Sequence, residues 1–237
     1  MSLIKDNWTT HDVKDFLKYL YSFSRGEEKS MWEKRIVNTN LKCIAVNSKD
    51  VNSIIKQIKK GNYVSFIDTF LPCWDNLTLV NIMGKLICEI KEFDEFKSRL
   101  LIYSKKVDNW ASCDCLKFRI KGKETEFLNL SNELIKSNLP FERRIGLGIL
   151  FNKKEYLFDV FEALNNLKDE QNYYVNMMGA WLLAECMVID KENTLNYFKN
   201  NTTNNFIINK AISKCCDSFR ISTQDKDMLK TFRIKKK

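Results

Sequence analysis

Histidine, proline and glycine are scarce in this chain of 237 residues, which has one His, two Pro and seven Gly. So few turn-forming residues argue against a fold of many short strands. The single His11 and the lack of a Cys-x-x-Cys pair argue against a zinc site. No apolar run approaches the roughly 18 to 20 residues needed to cross a bilayer. Together these absences favour an all-α protein without membrane segments.

Cysteine is frequent, with eight residues, but the pattern of these cysteines does not indicate a disulfide framework. The start of the chain has no apolar secretory segment, so we expect a reducing compartment. We therefore predict a cytoplasmic protein with reduced thiols, no bound metal and no cofactor.

The chain is basic, with a formal net charge of +9 and a pI near 9.0. Lysine and arginine that neutralise phosphates release counterions and gain affinity, so this charge favours a polyanionic partner. Lysine-rich surfaces also serve solubility, and the charge alone does not decide between the two. We predict that the terminal basic run over 233–237 is a frayed, solvated tail.

Apolar residues recur at three- and four-residue steps through most of the chain, which is the pattern of amphipathic helices. Near the N-terminus, such segments follow Thr10 and Gly26, and a third opens near Ser48 and closes at Gly61. Further helices are predicted over 75–90, 93–103, 109–122, 124–138, 141–151, 155–167, 172–189, 193–199, 206–219 and 224–232.

Four prominent residues follow one another at nearly regular distances. Trp74, Trp110, Arg144 and Trp181 are separated by 36, 34 and 37 residues. Two-helix repeats have periods of about 34 to 47 residues and place equivalent positions in a row on one concave surface. No linker rich in Gly, Ser or Pro divides the chain. We predict one domain over 1–237, an α-α superhelix of degenerate repeats with a curved, basic, concave face.

Three segments carry residues that together could hold a charged ligand. In NWASCD, Trp110 and Asp114 are four residues apart and share a face if the segment is helical. FERRIG supplies Arg143 and Arg144, and GAWLLAE supplies Trp181. A structural interpretation is also open: both tryptophans would then be core residues, Asp114 would satisfy a helix terminus or Arg144, and an arginine would form an ion pair.

Four segments resemble a known family in order and at appropriate distances. They are DNWASCD, FERRIG, YYVNMMGAWLLAE and NKAISKCCDSFRIS. They resemble the signature segments of the DNA alkylation repair family of HEAT-like-repeat alkylpurine DNA glycosylases, most strongly from about Val107 onward. The resemblance implies a HEAT-like fold and a nucleotide-contacting site formed by Trp110, Asp114, Arg144 and Trp181.

The N-terminal half departs from the family pattern. Ala45-Val46, Lys49 and Asn52 stand where the related proteins usually have Gly-Val, Pro and Arg. The DNA contact made by that Arg in the family is therefore not carried over to this chain. The helical pairing needs only the apolar stripe, which is retained.

The resemblance implies a monomeric, monofunctional DNA glycosylase that hydrolyses the N-glycosidic bond of cationic alkylpurines in duplex DNA. Asp114 would stabilise the cationic sugar and orient water, while Trp110 and Trp181 would flank the lesion nucleotide. Arg144 would clamp a phosphate. Further candidate contacts to the DNA backbone, which would otherwise be solvated or ion-paired side chains, are Arg143, Lys210, Lys214 and Arg220.

Two alternatives remain open from the sequence. A HEAT-like scaffold could bind DNA or protein without catalysis and keep its tryptophans for packing, because architecture does not dictate activity. Binding to structured RNA through phosphate contacts is the other. Exposure of Trp110 and Trp181 distinguishes a ligand-binding surface from a packed scaffold.

Overall fold

A computed structural model describes residues 1–234, and this part of the chain contains fourteen α-helices and no β-strand. An isolated parallel bridge joins Lys42 and Asn76. The prediction of an all-α fold is confirmed. Most of the predicted basic tail, residues 235–237, lies outside the described residues.

The helices divide between two compact units, Met1–Lys121 and Gly122–Lys237. The helices of the first unit are α1 (Thr10–Tyr21), α2 (Glu27–Val37), α3 (Ser48–Ile58), α4 (Tyr63–Phe70), α5 (Leu77–Ile87), α6 (Phe93–Ser104) and α7 (Trp110–Asp114). Those of the second unit are α8 (Glu124–Ile135), α9 (Pro140–Ile149), α10 (Leu157–Asn165), α11 (Tyr173–Ile189), α12 (Lys191–Asn200), α13 (Asn205–Asp217) and α14 (Thr223–Thr231). The single domain and its curved, basic face stay predictions.

The first unit is built around α5 and an aromatic cluster. Nine of the eleven residues of α5 are buried, and the helix packs on α3, α4, α6 and α7. Trp8 contacts Phe16, Phe66 and Phe70 edge to face, with ring centroids 5.8, 5.0 and 5.8 Å away, which ties the N-terminal segment and α1 to α4. These large rings supply much of the buried apolar area of the unit.

The second unit is built around α11, which packs on α9, α10, α12 and α13. Two ring contacts fix the register of its three principal helices: Phe141 on Tyr174, and Tyr173 on Phe206. The partners in each pair are 33 residues apart, so α9, α11 and α13 run parallel as equivalent helices of successive repeats. The predicted step of 37 residues from Arg144 to Trp181 is about one helical turn longer than this offset. The equivalence of these two residues in successive repeats stays a prediction.

Asparagine side chains begin many of these helices and explain how the chain manages with so little glycine and proline. The side-chain oxygens of Asn62, Asn76, Asn109, Asn172 and Asn204 each accept a hydrogen bond from a backbone N–H in the first turn of the following helix. Such caps satisfy donors that a helix leaves unpaired at its start.

The structure differs from the predicted helices of the first unit in two places. The helix predicted over 109–122 ends at Asp114, because the residues after it alternate between buried Leu116, exposed Lys117 and, further on, buried Ile120, which suits an extended path. Helix α4, Tyr63–Phe70, was not predicted. Its buried Phe66, Ile67 and Phe70 form a short apolar run whose periodicity is weak over eight residues.

Three further features of the described residues concern disulfides, metal-binding groups and membrane-spanning helices. All eight cysteines are free thiols. In residues 1–234 no group of three or more His, Cys, Asp or Glu side chains is placed to hold a metal ion. No helix within the same range is long and apolar enough to span a bilayer.

Two glycines of α9 provide a stability test. A Cβ at Gly146 would lie 2.9 Å from the backbone nitrogen of Ile135 and the backbone oxygen of Ser131, whereas a Cβ at Gly148 would meet only Met178 Cε, at 3.6 Å. We expect Gly146→Ala to lower the free energy of unfolding by about 1 to 3 kcal/mol, because α8 and α9 must separate. Gly148→Ala should raise it by about 0.5 to 1 kcal/mol, because alanine favours the helix. Urea denaturation of both variants measures the difference, and equal effects would contradict the packing described.

Candidate functional site

Trp110 and Asp114 lie on the short helix α7, which tertiary contacts hold in place. Asn109 is buried and caps the helix, its side-chain oxygen accepting from the N–H of Ser112 at 2.9 Å. The indole N–H of Trp110 donates to the carbonyl of Ile36 at 3.3 Å. Trp110 is half-buried and Asp114 is exposed. Trp110 is thus not enclosed in the core, and Asp114 reaches solvent on the same face of α7.

The buried side chain of Tyr103 supports α7 through a hydrogen bond. The hydroxyl of Tyr103 donates to the carbonyl of Ser112 at 2.9 Å, and burial raises the pKa of Tyr103 well above its ordinary value, so the donor stays protonated. A Cβ at Gly84 would lie 2.7 Å from that hydroxyl, so only glycine leaves room for it. Burial also raises the pKa of the neighbouring thiol of Cys115 to about 12, so this thiol stays protonated.

Arg144 is buried, with only 5% of its surface exposed. Its guanidinium donates to the carbonyl of Tyr174 at 2.5 Å and so joins α9 to α11. A phosphate clamp needs donors that reach the surface, and here the described contact uses the side chain inside the unit. The role of Arg144 toward a phosphate stays a prediction.

Arg143 is committed to an ion pair. Its Nε and one terminal nitrogen donate to the two carboxylate oxygens of Glu170 at 2.7 and 3.0 Å, and the other terminal nitrogen donates to the carbonyl of Ser137 at 2.9 Å. A bidentate pair of this kind fixes the loop before α11 to α9. The contact agrees with the interpretation that one of the two arginines is an ion-pair partner.

Trp181 is exposed over 41% of its surface, so the interpretation of Trp181 as a core residue is wrong. The ammonium group of Lys214 lies 5.4 Å from the centroid of its ring. Trp181 and Lys214 are also 33 residues apart, in the register of the ring pairs described above. Exposed cation–π contacts of this kind contribute roughly 0.5 to 1 kcal/mol, which is weak enough for the lysine to exchange partners.

Two aromatic residues that the sequence did not single out lie on the same face of the second unit. Tyr173 is two turns before Trp181 on α11, is 56% exposed, and contacts Phe206 with ring centroids 5.9 Å apart. Lys210 lies 5.7 Å from the Phe206 ring. The 33-residue offset could have identified them, because it pairs Tyr173 with Phe206 and Trp181 with Lys214.

Arg220 follows α13 and binds Glu185, one turn beyond Trp181 on α11. Both terminal nitrogens of its guanidinium reach the two carboxylate oxygens, one of them at 3.1 Å. This hydrogen bonding raises the pKa of Arg220. The arginine is therefore a fixed part of the surface beside Trp181 and already has an anionic partner.

The structure places the predicted site residues in two groups. Trp110 and Asp114 belong to the first unit, whereas Arg144 and Trp181 belong to the second. Within the second unit, Trp181 and its lysine neighbours form one surface. The convergence of all four predicted residues on one ligand stays a prediction.

A cavity of about 770 Å³ in the second unit is a separate feature. Its lining includes Asp159, Glu162 and Glu170, and of the predicted site residues it contains Arg143. The carboxylates would repel a phosphate, and Arg143 is bound to Glu170. The cavity is therefore a poor candidate for a nucleic-acid site.

Comparison with known proteins gives one match. A family model described as DNA alkylation repair enzyme matches residues 25–215. The matched range includes Trp110, Asp114, Arg144 and Trp181, and it stops before Arg220. No curated protein and no solved structure matches the chain.

The burial of Arg144 leads to a test made without any ligand. We expect Arg144→Ala to lower the free energy of unfolding by about 2 kcal/mol or more, because it removes the donor to a carbonyl between α9 and α11 and leaves a cavity. Lys214→Ala, which changes a surface lysine of the same unit, should lower it by no more than about 1 kcal/mol, because it removes only an exposed cation–π contact. Guanidinium denaturation of both variants gives the comparison. An Arg144→Ala variant with the wild-type free energy of unfolding would show that the buried contact does not stabilise the fold.

Proposed function

Since the chain belongs to the DNA alkylation repair enzyme family, we propose that it is a monofunctional DNA glycosylase acting on alkylated purines. The family supports a role in the repair of alkylated DNA. The finer proposal is hydrolysis of the N-glycosidic bond of cationic purines of the 3-methyladenine and 7-methylguanine type, in duplex DNA, without a metal or cofactor. The observation that carries it is the exposed carboxylate of Asp114, one turn from Trp110 on a rigidly capped helix.

The chemistry of a cationic purine explains why a carboxylate is useful. A purine alkylated at N3 or N7 already bears a positive charge, so its bond to the sugar breaks with little need for protonation of the leaving base. Positive charge then develops on the deoxyribose. A carboxylate stabilises that charge and orients the attacking water, as in other glycoside-cleaving sites. We assign this role to Asp114.

The tryptophans contribute through their ring faces. A cation over an indole ring gains roughly 0.5 to 2 kcal/mol, depending on how far both are desolvated. Trp181 already holds the ammonium group of Lys214 at 5.4 Å, which is the kind of contact that a cationic nucleotide would make. We propose that Trp110 and Trp181 flank the lesion nucleotide.

Lysines are the proposed contacts to the DNA backbone. Lys210 and Lys214 are four residues apart on α13 and lie over the rings of Phe206 and Trp181. Their charges fit successive phosphates without reading sequence. Arg143, Arg144 and Arg220 would contact DNA only by leaving or sharing the partners they have in the protein.

Those committed arginines favour a second candidate, a HEAT-like scaffold that binds DNA or protein without catalysis. In such a scaffold Arg143, Arg144 and Arg220 would serve only the internal structure. A scaffold that binds DNA predicts duplex binding without base release, which the following measurement separates from a glycosylase.

The catalytic assignment is tested by Asp114→Asn. We expect the rate of 7-methylguanine release from methylated duplex DNA, measured by chromatography of the freed base in single turnover, to fall at least about 100-fold. The dissociation constant for the duplex should change by less than about threefold, because the carboxylate acts on charge that develops in the transition state. Asp15→Asn, which changes an exposed helix carboxylate of the same unit, serves as the control. Full excision by Asp114→Asn rules out the assignment, and a wild-type protein that binds duplex without releasing bases supports the scaffold.

The backbone contacts are tested by salt dependence. We expect the double variant Lys210→Ala, Lys214→Ala to reduce the slope of log affinity against log salt concentration by about 2, since each phosphate contact contributes about 0.9. The matched control is Lys14→Ala, Lys18→Ala, a pair of exposed lysines with the same four-residue spacing on α1. Fluorescence anisotropy over a salt series measures both slopes. Identical slopes for the two double variants would remove Lys210 and Lys214 from the interface.

A further inference from the structure

Glycine inside a helix normally has a reason, because it destabilises the helix relative to alanine. Three such glycines here have a packing reason. A Cβ at Gly84 would lie 2.7 Å from Tyr103 Oη, at Gly146 it would lie 2.9 Å from the backbone of α8, and at Gly179 it would lie 3.0 Å from Leu164 Cδ2. Close helix contact therefore accounts for all three.

Gly148 is different from these three. Its Cβ would meet only Met178 Cε, at 3.6 Å, which is an ordinary van der Waals distance to the end of a flexible side chain. Its backbone is regular α-helix, since it lies within α9 and has no positive φ. Neither packing nor backbone conformation requires glycine at this position.

The position of Gly148 relates it to the proposed site. It is half-buried and lies one turn after Arg144 on α9. In the 33-residue register it is the counterpart of Trp181 on α11, and Met178, which it faces, is one turn before Trp181. Gly148 therefore presents bare helix backbone next to the Met178 side chain, one turn before Trp181 on the neighbouring helix.

We propose that Gly148 is a positioning residue, which leaves room for one strand of bound DNA to lie against the main chain of α9 beside Trp181. Glycine is the residue that permits close approach of a backbone to a ligand. A larger side chain here would lift the deoxyribose–phosphate chain away from the indole. This inference rests on the proposed function, because it takes DNA as the ligand of this surface.

The charge around Trp181 fits a sugar–phosphate chain. Lys214 lies over the Trp181 ring, and Lys210 is one turn earlier on α13. Glu185, one turn beyond Trp181 on α11, is neutralised by its bidentate pair with Arg220. An anionic strand that crosses this surface thus meets cations and ring faces first, and the carboxylate it approaches already has a partner.

The experiment compares Gly148→Ala, Gly148→Leu and the control Asn132→Leu, which adds the same side chain at an exposed position of α8. Thermal unfolding, the dissociation constant for an unmodified duplex and single-turnover base release are measured for each protein. We expect Gly148→Ala to melt at or above the wild-type temperature and to bind duplex about threefold more weakly. Gly148→Leu should bind at least about tenfold more weakly, because its side chain fills the space beside Trp181. Asn132→Leu should bind like wild type.

The outcomes separate this inference from the proposed function. If wild type binds duplex and both Gly148 variants bind within 1.5-fold of it, the inference is overturned, whatever the excision rates are. If wild type binds duplex but releases no base, the glycosylase proposal fails, and the binding data still decide the role of Gly148. If wild type does not bind duplex, both fail. Should Gly148→Leu not fold, the alanine variant decides by itself, since alanine is tolerated at this position.

Discussion

The hydrogen bond from the Ser112 N–H to the buried side chain of Asn109 determines whether α7 can present a site at all. A helix of five residues is too short to form by its own hydrogen bonds, because nucleation costs more than one turn returns. Three contacts stabilise α7 in place of further helical turns. They are the Asn109 cap, the hydrogen bond from the Tyr103 hydroxyl to the Ser112 carbonyl, and the hydrogen bond from the Trp110 indole to the Ile36 carbonyl. They hold Trp110 and Asp114 on one face while leaving the carboxylate exposed, and the catalytic role proposed for Asp114 requires rigid support of this kind.

In the second unit the controlling constraint is close helix packing. Gly146 and Gly179 let α9 and α11 approach their neighbours, and the ring contacts then fix a 33-residue register between equivalent helices. The same register places Lys214 over Trp181. A tryptophan that helix periodicity alone would assign to the core is therefore on the surface, beside a lysine from the next repeat. The repeat thus produces both the packing and the exposed aromatic–cationic surface.

Local chemistry was readable from the sequence, whereas tertiary partners were not. The start of α3 at Ser48 and the break before α9 at Pro140 follow from caps and proline geometry, and the structure agrees with both. The end of α7 at Asp114 was missed because the alternation that follows it is too short to overcome a helical interpretation. The partners of Arg143 and Arg220, Glu170 and Glu185, are 27 and 35 residues away in sequence. No spacing rule assigns ion pairs at such distances in sequence, so these two pairs could be identified only from the structure.

These ion pairs within the protein determine which cationic side chains are available to bind an anionic ligand. If Arg220 left Glu185 to bind a phosphate, Glu185 would lose both hydrogen bonds, and its side chain is only 14% exposed. Lys214 gives up only an exposed contact with a ring, and it can then bind a phosphate while the indole face becomes available to the nucleotide. In the proposed function, the lysine would release the aromatic surface in the same movement that neutralises the strand. Binding through such mobile point charges would depend strongly on salt and little on sequence, which is what an enzyme searching long DNA for rare lesions requires.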